Sequence, residues 1–355
     1  MAKTSKKRKR TSSASPRQKG PTAPKAKGAR ARSGERTRIK AQPTRGGTPR
    51  GASASLPHPS ARARFAGITT ERERLDKTVE VERAERMAAY EAELRRLETA
   101  RAKEGARATG AGTLLTILAE GDSWFDYPVG TDVVRSLRDL IGLPIAHMAH
   151  YGDEVRQMLS LKQRKEIEQR LARGATNGRP WDALLFSGGG NDMVGDQLCI
   201  WIKPYSDGMT VEQVLDAVRF GAVLQIVEAG YRDLIALRDR LSPNTKLFLH
   251  QYDFAPPNGR GVCNVGPWLK PSLDFRLVPP NLQVEAVKLM LQRFATLLAS
   301  LAPHGSNVFV VPTQGTFPAA TDEWWANELH PTKKGFLAIA EKFRAALKGQ
   351  FPQLD

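Results

Sequence analysis

The chain has 355 residues, 41% of them hydrophobic, which is enough to build one large or two small cores, and a formal net charge of +17. Residues 1–64 hold nineteen Lys/Arg against one acid, Glu35, a balance of +18, so residues 65–355 carry −1 and the basicity belongs to a tail, not to a nucleic-acid-binding fold. The two cysteines, Cys199 and Cys263, have neither a disulfide framework nor metal-ligand spacing around them.

Residues 1–64 are rich in Lys, Arg, Ser, Pro, Gly and Ala. That composition buries too little apolar surface to offset its ordering entropy, so the segment reads as a disordered basic tail. The run Lys6-Lys7-Arg8-Lys9-Arg10 reads either as a localisation or polyanion patch or as a solubilising tail. No apolar core region follows the basic N-terminus, and no stretch approaches the ~20 apolar residues of a membrane span. These features predict a soluble, cytoplasmic protein without a transmembrane segment, unless a route independent of a signal peptide exports it.

Residues 65–110 form a charged helical segment, with a long helix predicted over 69–106, capped by Thr69 or Thr70 and ended by Gly105. Met87, Tyr90, Leu94 and Leu97 make a thin apolar stripe at helical spacing, suited to docking on the protein's own domain or, as the alternative, to pairing with another chain. From 111 to 355, short apolar runs alternate with helical patterns. The runs are 113–119, 144–149, 183–187, 246–251 and 307–311; the helical patterns lie near 131–141, 154–173, 211–241, 281–302 and 332–347. Short apolar runs that each lead into a helix read as buried parallel strands. The fold class expected is therefore α/β, a flavodoxin-like, doubly wound, parallel five-stranded sheet, whose ligands bind beyond the carboxyl ends of the strands.

The unusual residues cluster at those ends. Gly121-Asp122-Ser123-Trp124 follows the first strand and presents a hydroxyl at the mouth of the sheet; alone, it is a common turn tripeptide. The chain lacks the G-x-S-x-G elbow, which argues against an α/β-hydrolase. Tyr151-Gly152-Asp153 follows the second strand, where a glycine N–H can face a developing negative charge. The third strand ends in Ser187-Gly188-Gly189-Gly190-Asn191-Asp192, with no Lys-Ser/Thr after it to make a phosphate loop. Asn327-Glu328-Leu329-His330-Pro331 enters the last helix, with Pro331 suited to its first turn. His147 and His150 do not form a shared metal site by strand alternation, and no metal or cofactor is expected. Trp124, Trp324 and Trp325 are candidates for a pocket wall, and Asp126 and Tyr127 stand at the mouth without an assignable role.

Gly121-Asp122-Ser123, Gly152, Gly190-Asn191-Asp192 and His330, in this order, resemble the four blocks of the SGNH (GDSL-like) hydrolase superfamily over about residues 113–350. The resemblance implies an esterase with Ser123 as nucleophile, His330 as general base, and an oxyanion hole made by the Ser123 and Gly152 N–H groups and the Asn191 side chain. The family's usual Asp, three residues before the His, is here Asn327. Three outcomes stay open: a Ser–His dyad with Asn327 as orienting group, an acid relocated to Glu328, Glu323 or Asp322, or a weakened catalyst. The substrate implied is a small-molecule, carbohydrate or lipid ester, with loops near 195–210 and 253–280 shaping access. The alternative function is a non-catalytic binding module tethered to polyanions or anionic surfaces by residues 1–64.

Overall fold

The computed structural model describes residues 61–105, 114–175 and 178–354. Its elements in chain order are α1 (Ala61–Gly105), β1 (Ile117–Gly121), α2 (Val133–Ile141), β2 (Ile145–His147), α3 (Val155–Met158), α4 (Leu161–Arg173), β3 (Ala183–Ser187), α5 (Gly190–Met193), α6 (Leu198–Trp201), α7 (Val211–Val214), α8 (Ala217–Leu241), β4 (Lys246–His250), α9 (Lys270–Phe275), α10 (Pro280–Ser300), β5 (Val308–Val311) and α11 (Lys333–Gln350). The five strands form one all-parallel sheet in the order β2-β1-β3-β4-β5, the doubly wound α/β arrangement. β1 and β3 are buried at every position, as befits strands covered by helices on both faces. Helix α2 packs with α11, while α3, α4 and α10 pack with α8.

After β2 the chain crosses to the other side of β1 to form β3, so the crevice opens past the carboxyl ends of β1 and β3. These two strands approach closely: a Cβ on Gly121 would lie 2.6 Å from the Ser187 carbonyl oxygen. Gly121 is thus required by strand contact. The first strand runs two residues further than its apolar stretch suggests, because Glu120 and Gly121 continue the ladder to Phe186 and Ser187.

Two predicted helices are each interrupted by a capping residue. The 154–173 pattern divides into α3 and α4 at Ser160, and the 211–241 pattern divides into α7 and α8 at Asp216. The Asp216 carboxylate accepts from the N–H groups of Val218 and Arg219, an N-cap stronger than the continuity of the apolar pattern. Helix α1 begins at Ala61, ahead of the Thr69 or Thr70 cap, so residues 61–64 of the expected tail are helical; residues 1–60 lie outside the described residues. Met87, Tyr90 and Leu94 are buried where α1 docks beside β2. No helix among the described residues is long and apolar enough to cross a membrane.

Candidate active site

Past Gly121 the chain turns sharply, with Phe125 N–H and Asp126 N–H both donating to the Asp122 carbonyl. Asp122 itself points into the core. It accepts from Ser187 Oγ at 2.7 Å, from Tyr252 Oη at 2.5 Å and from Trp124 N–H at 3.0 Å. Burial pushes its carboxyl above the usual range, while the three donors oppose that shift. The turn is thereby fixed, and Ser123 is left half-buried at the crevice.

Ser123 Oγ lies 2.7 Å from His330 Nε2, and His330 Nδ1 lies 3.0 Å from Asn327 Oδ1. Asn327 is 1% exposed, and its Oδ1 also accepts from the Leu329 and His330 N–H groups, each at 2.9 Å. Its amide nitrogen donates to Tyr127 Oη at 3.2 Å, which assigns the oxygen to the imidazole. Nδ1 must then carry the ring proton, and the Nε2 lone pair faces the serine hydroxyl. Tyr127 stacks on the imidazole with ring centroids 4.4 Å apart, and Trp268 meets it edge-on at 5.6 Å. Burial among these groups lowers the His330 pKa to about 3.

The three acids considered as substitutes for the missing Asp are engaged elsewhere. Glu328 is fully buried and accepts from four backbone N–H groups, of Gly259, Trp268, Leu269 and Lys270. Glu323 pairs with Lys334, and Asp322 pairs with Arg260 at 2.8 Å. The relocated acid is therefore not seen at His330: Asn327 is the group on its far nitrogen.

A cleft begins at Ser123. Asn191 and Trp124 line it with Met193, Leu269, Met290 and Leu291, so its walls are largely apolar. Trp325 and Trp324 are not among the lining residues; both pack on Phe317. Asn191 donates to the Asp153 carbonyl at 2.9 Å, which ties the end of β3 to the loop after β2. Gly152 sits in that loop at φ +83, a conformation that suits glycine; it is exposed and is not among the residues that line the cleft. Neither the Ser123 nor the Gly152 N–H has an intramolecular acceptor among the described residues.

A second Ser–His contact, Ser187 Oγ to His250 Nε2 at 2.8 Å, differs in kind. Both residues are fully buried. The Tyr252 N–H points to His250 Nδ1, so Nε2 carries the proton and donates to Ser187, which in turn donates to Asp122. A histidine that donates to a serine cannot serve as its base, so this pair is a support for the Asp122 turn.

The roles of two residues already singled out in the sequence become visible only here. Tyr127, at the mouth without an assigned role, stacks on His330 and accepts from Asn327. Asp192, whose Oδ2 accepts from Val155 N–H at 2.8 Å, joins the end of β3 to the start of α3. Glu120 does leave a trace, as an acid inside an otherwise apolar strand, and burial raises its pKa to about 8.

The fold is thus a doubly wound parallel α/β sheet with a hydrogen-bonded Ser–His–Asn series at its carboxyl edge. No family model matches the chain, and no curated protein matches it. Among solved structures it is similar to an extracellular lipase from Streptomyces rimosus (14% identity, 64% of this chain and 99% of that one, TM-score 0.42). It is also similar to a lipase from a goat rumen metagenome (16%, 66% and 97%, TM-score 0.41) and to a carbohydrate esterase of family 3 from Talaromyces cellulolyticus (11%, 68% and 100%, TM-score 0.41). Likeness at this level concerns the course of the chain and does not bear on activity.

Proposed function

We propose that the protein is a serine-dependent ester hydrolase of the SGNH type. The observation that carries this reading is the unbroken series from Ser123 Oγ to His330 Nε2 and from His330 Nδ1 to Asn327 Oδ1, opening on an apolar cleft. In the reaction Ser123 Oγ attacks the ester carbonyl carbon while His330 Nε2 takes the hydroxyl proton. The carbonyl oxygen becomes an oxyanion held by the Ser123 and Gly152 N–H groups and the second N–H of the Asn191 amide. The C–O bond to the leaving group breaks, His330 returns the proton to the departing alcohol, and water repeats the sequence on the acyl-enzyme.

Asn327 fixes the tautomer but brings no negative charge, so the imidazolium formed during attack is compensated only by dipoles. This supports a Ser–His dyad oriented by an amide. The apolar cleft suits an acyl chain, and the substrate class proposed is a small-molecule ester with an apolar acyl group. The experiment is hydrolysis of p-nitrophenyl acetate and butyrate by wild type, Ser123→Ala and His330→Ala. Loss of turnover in both variants, with unchanged circular dichroism, supports the reading, and full turnover in Ser123→Ala removes it.

A further inference from the structure

Helix α1 stands outside the strand–helix alternation, yet it sends two arginines, three residues apart and so on one helix face, beneath the site. Arg83 is 6% exposed. Its Nη2 donates to Asp153 Oδ2 at 3.4 Å and lies 3.7 Å from Glu120 Oε1, and its Nη1 donates to Glu166 at 3.0 Å. Arg86 donates from Nη1 to the Ala149 carbonyl at 2.9 Å and from Nη2 to Asp126 Oδ2 at 3.2 Å. It also donates to His147 Nδ1 at 3.0 Å, and His147 Nε2 donates to the Phe125 carbonyl at 2.6 Å.

These contacts reach two of the three segments from which the proposed oxyanion donors come. Asp126 and Phe125 belong to the turn that carries Ser123, and Glu120 accepts from Gly121 N–H at 3.0 Å just before it. Ala149 and Asp153 flank Gly152, and the Asp153 carbonyl is what orients Asn191. β2 is three residues long and at the sheet edge, and the backbone ladder to β1 ends with His150 N–H on the Gly121 carbonyl. Beyond that point side chains hold the Gly152 loop: Arg83 and Gln163 on the Asp153 carboxylate and Asn191 on its carbonyl. Donors to a developing oxyanion work only when their spacing is set beforehand.

We propose that Arg83 and Arg86 are positioning residues, and that α1 is a brace that sets the distance between the Ser123 turn and the Gly152 loop. The inference rests on the reading of Ser123, Gly152 and Asn191 given above. A purely structural role, serving as polar partner to the buried Glu120 carboxyl, makes a different prediction: replacing Glu120 along with Arg83 would then restore everything.

The test uses the full chain as wild type, Ser123→Ala, Arg83→Met, Arg83→Lys, Arg86→Met, the double variant Arg83→Met/Glu120→Gln, and Arg95→Ala on the exposed face of α1 as control. Turnover of p-nitrophenyl butyrate, inhibition by a trifluoromethyl ketone that forms a tetrahedral adduct, and melting temperature are measured. Misplaced groups cost up to about 10²-fold, so Arg83→Met and Arg86→Met should each lower kcat by about tenfold or more. KM should stay within about twofold, and the inhibition constant should rise in proportion to the loss in kcat. Arg83→Lys should fall between, and Arg95→Ala should match wild type. The double variant should regain melting temperature but not kcat. Wild-type kcat in Arg83→Met and Arg86→Met below their melting temperatures, or recovery of kcat together with stability in the double variant, would overturn the proposal. Turnover retained by Ser123→Ala in the same assay would instead point to failure of the underlying reading.

Discussion

Asn327 Oδ1 lies 3.0 Å from His330 Nδ1 and holds the imidazole by an amide where a carboxylate would add a charge. The same oxygen takes three N–H donors at once. A neutral carbonyl with two lone pairs is crowded there, whereas a carboxylate would be well matched, with Tyr127 Oη able to turn and donate to it.

Asn327→Asp should therefore raise kcat on p-nitrophenyl esters by about tenfold or more, on a scale where the reverse change in a serine protease costs about 10⁴. Steady-state kinetics at neutral pH checks this. Glu323→Gln and Asp322→Asn, whose carboxylates pair with Lys334 and Arg260, should leave kcat within about twofold.

The pH profile follows from the burial of His330. A base works only when unprotonated, so activity is present above its pKa and lost as pH falls through it. With that pKa lowered to about 3 against an ordinary value of about 6.5, kcat/KM should stay flat from pH 7 down to about 5. In Asn327→Asp the added negative charge favours the imidazolium, and the acid limb should move upward into that range. A wild-type limb centred near 6.5 would contradict the burial account.

Glu328 organises a loop rather than the reaction. Glu328→Ala leaves four N–H donors, on the buried Leu269 and the half-buried Gly259, Trp268 and Lys270, without their acceptor. Each such loss costs about 1–3 kcal/mol, so the melting temperature should fall by about ten degrees or more. Differential scanning calorimetry reads this directly. Because Trp268 packs edge-on against His330, the surviving folded fraction should also turn over more slowly.

Much of this architecture is legible in the chain. The five apolar runs become the five strands, and Ser123, Asn191 and His330 each stand just beyond a strand or before a helix, where topology collects polar groups. What is not legible is held by contacts distant in sequence. Glu328 reaches residues 58 to 69 positions away, and Arg83 reaches Asp153 across 70. A side chain that meets a backbone N–H or a distant carboxylate leaves no periodic trace. The stripe of α1 shows that the helix docks, but the apolar residues do not reveal that its arginines carry the polar contacts.

The two serine–histidine pairs should separate cleanly. Ser187→Ala removes one donor from the buried Asp122 and should lower stability by about 1–3 kcal/mol, a shift of several degrees in melting temperature, while turnover persists. Thermal denaturation and an ester assay on the same sample distinguish this from loss of a nucleophile.

The most direct test of the central claim is covalent labelling with a fluorophosphonate, followed by peptide mass mapping. Ser123 should carry one adduct per chain, His330→Ala should label slower by orders of magnitude, and Ser123→Ala should not label at all. Absence of any adduct on wild type, or an adduct on Ser187 or another residue, would contradict the assignment of Ser123 as an activated nucleophile.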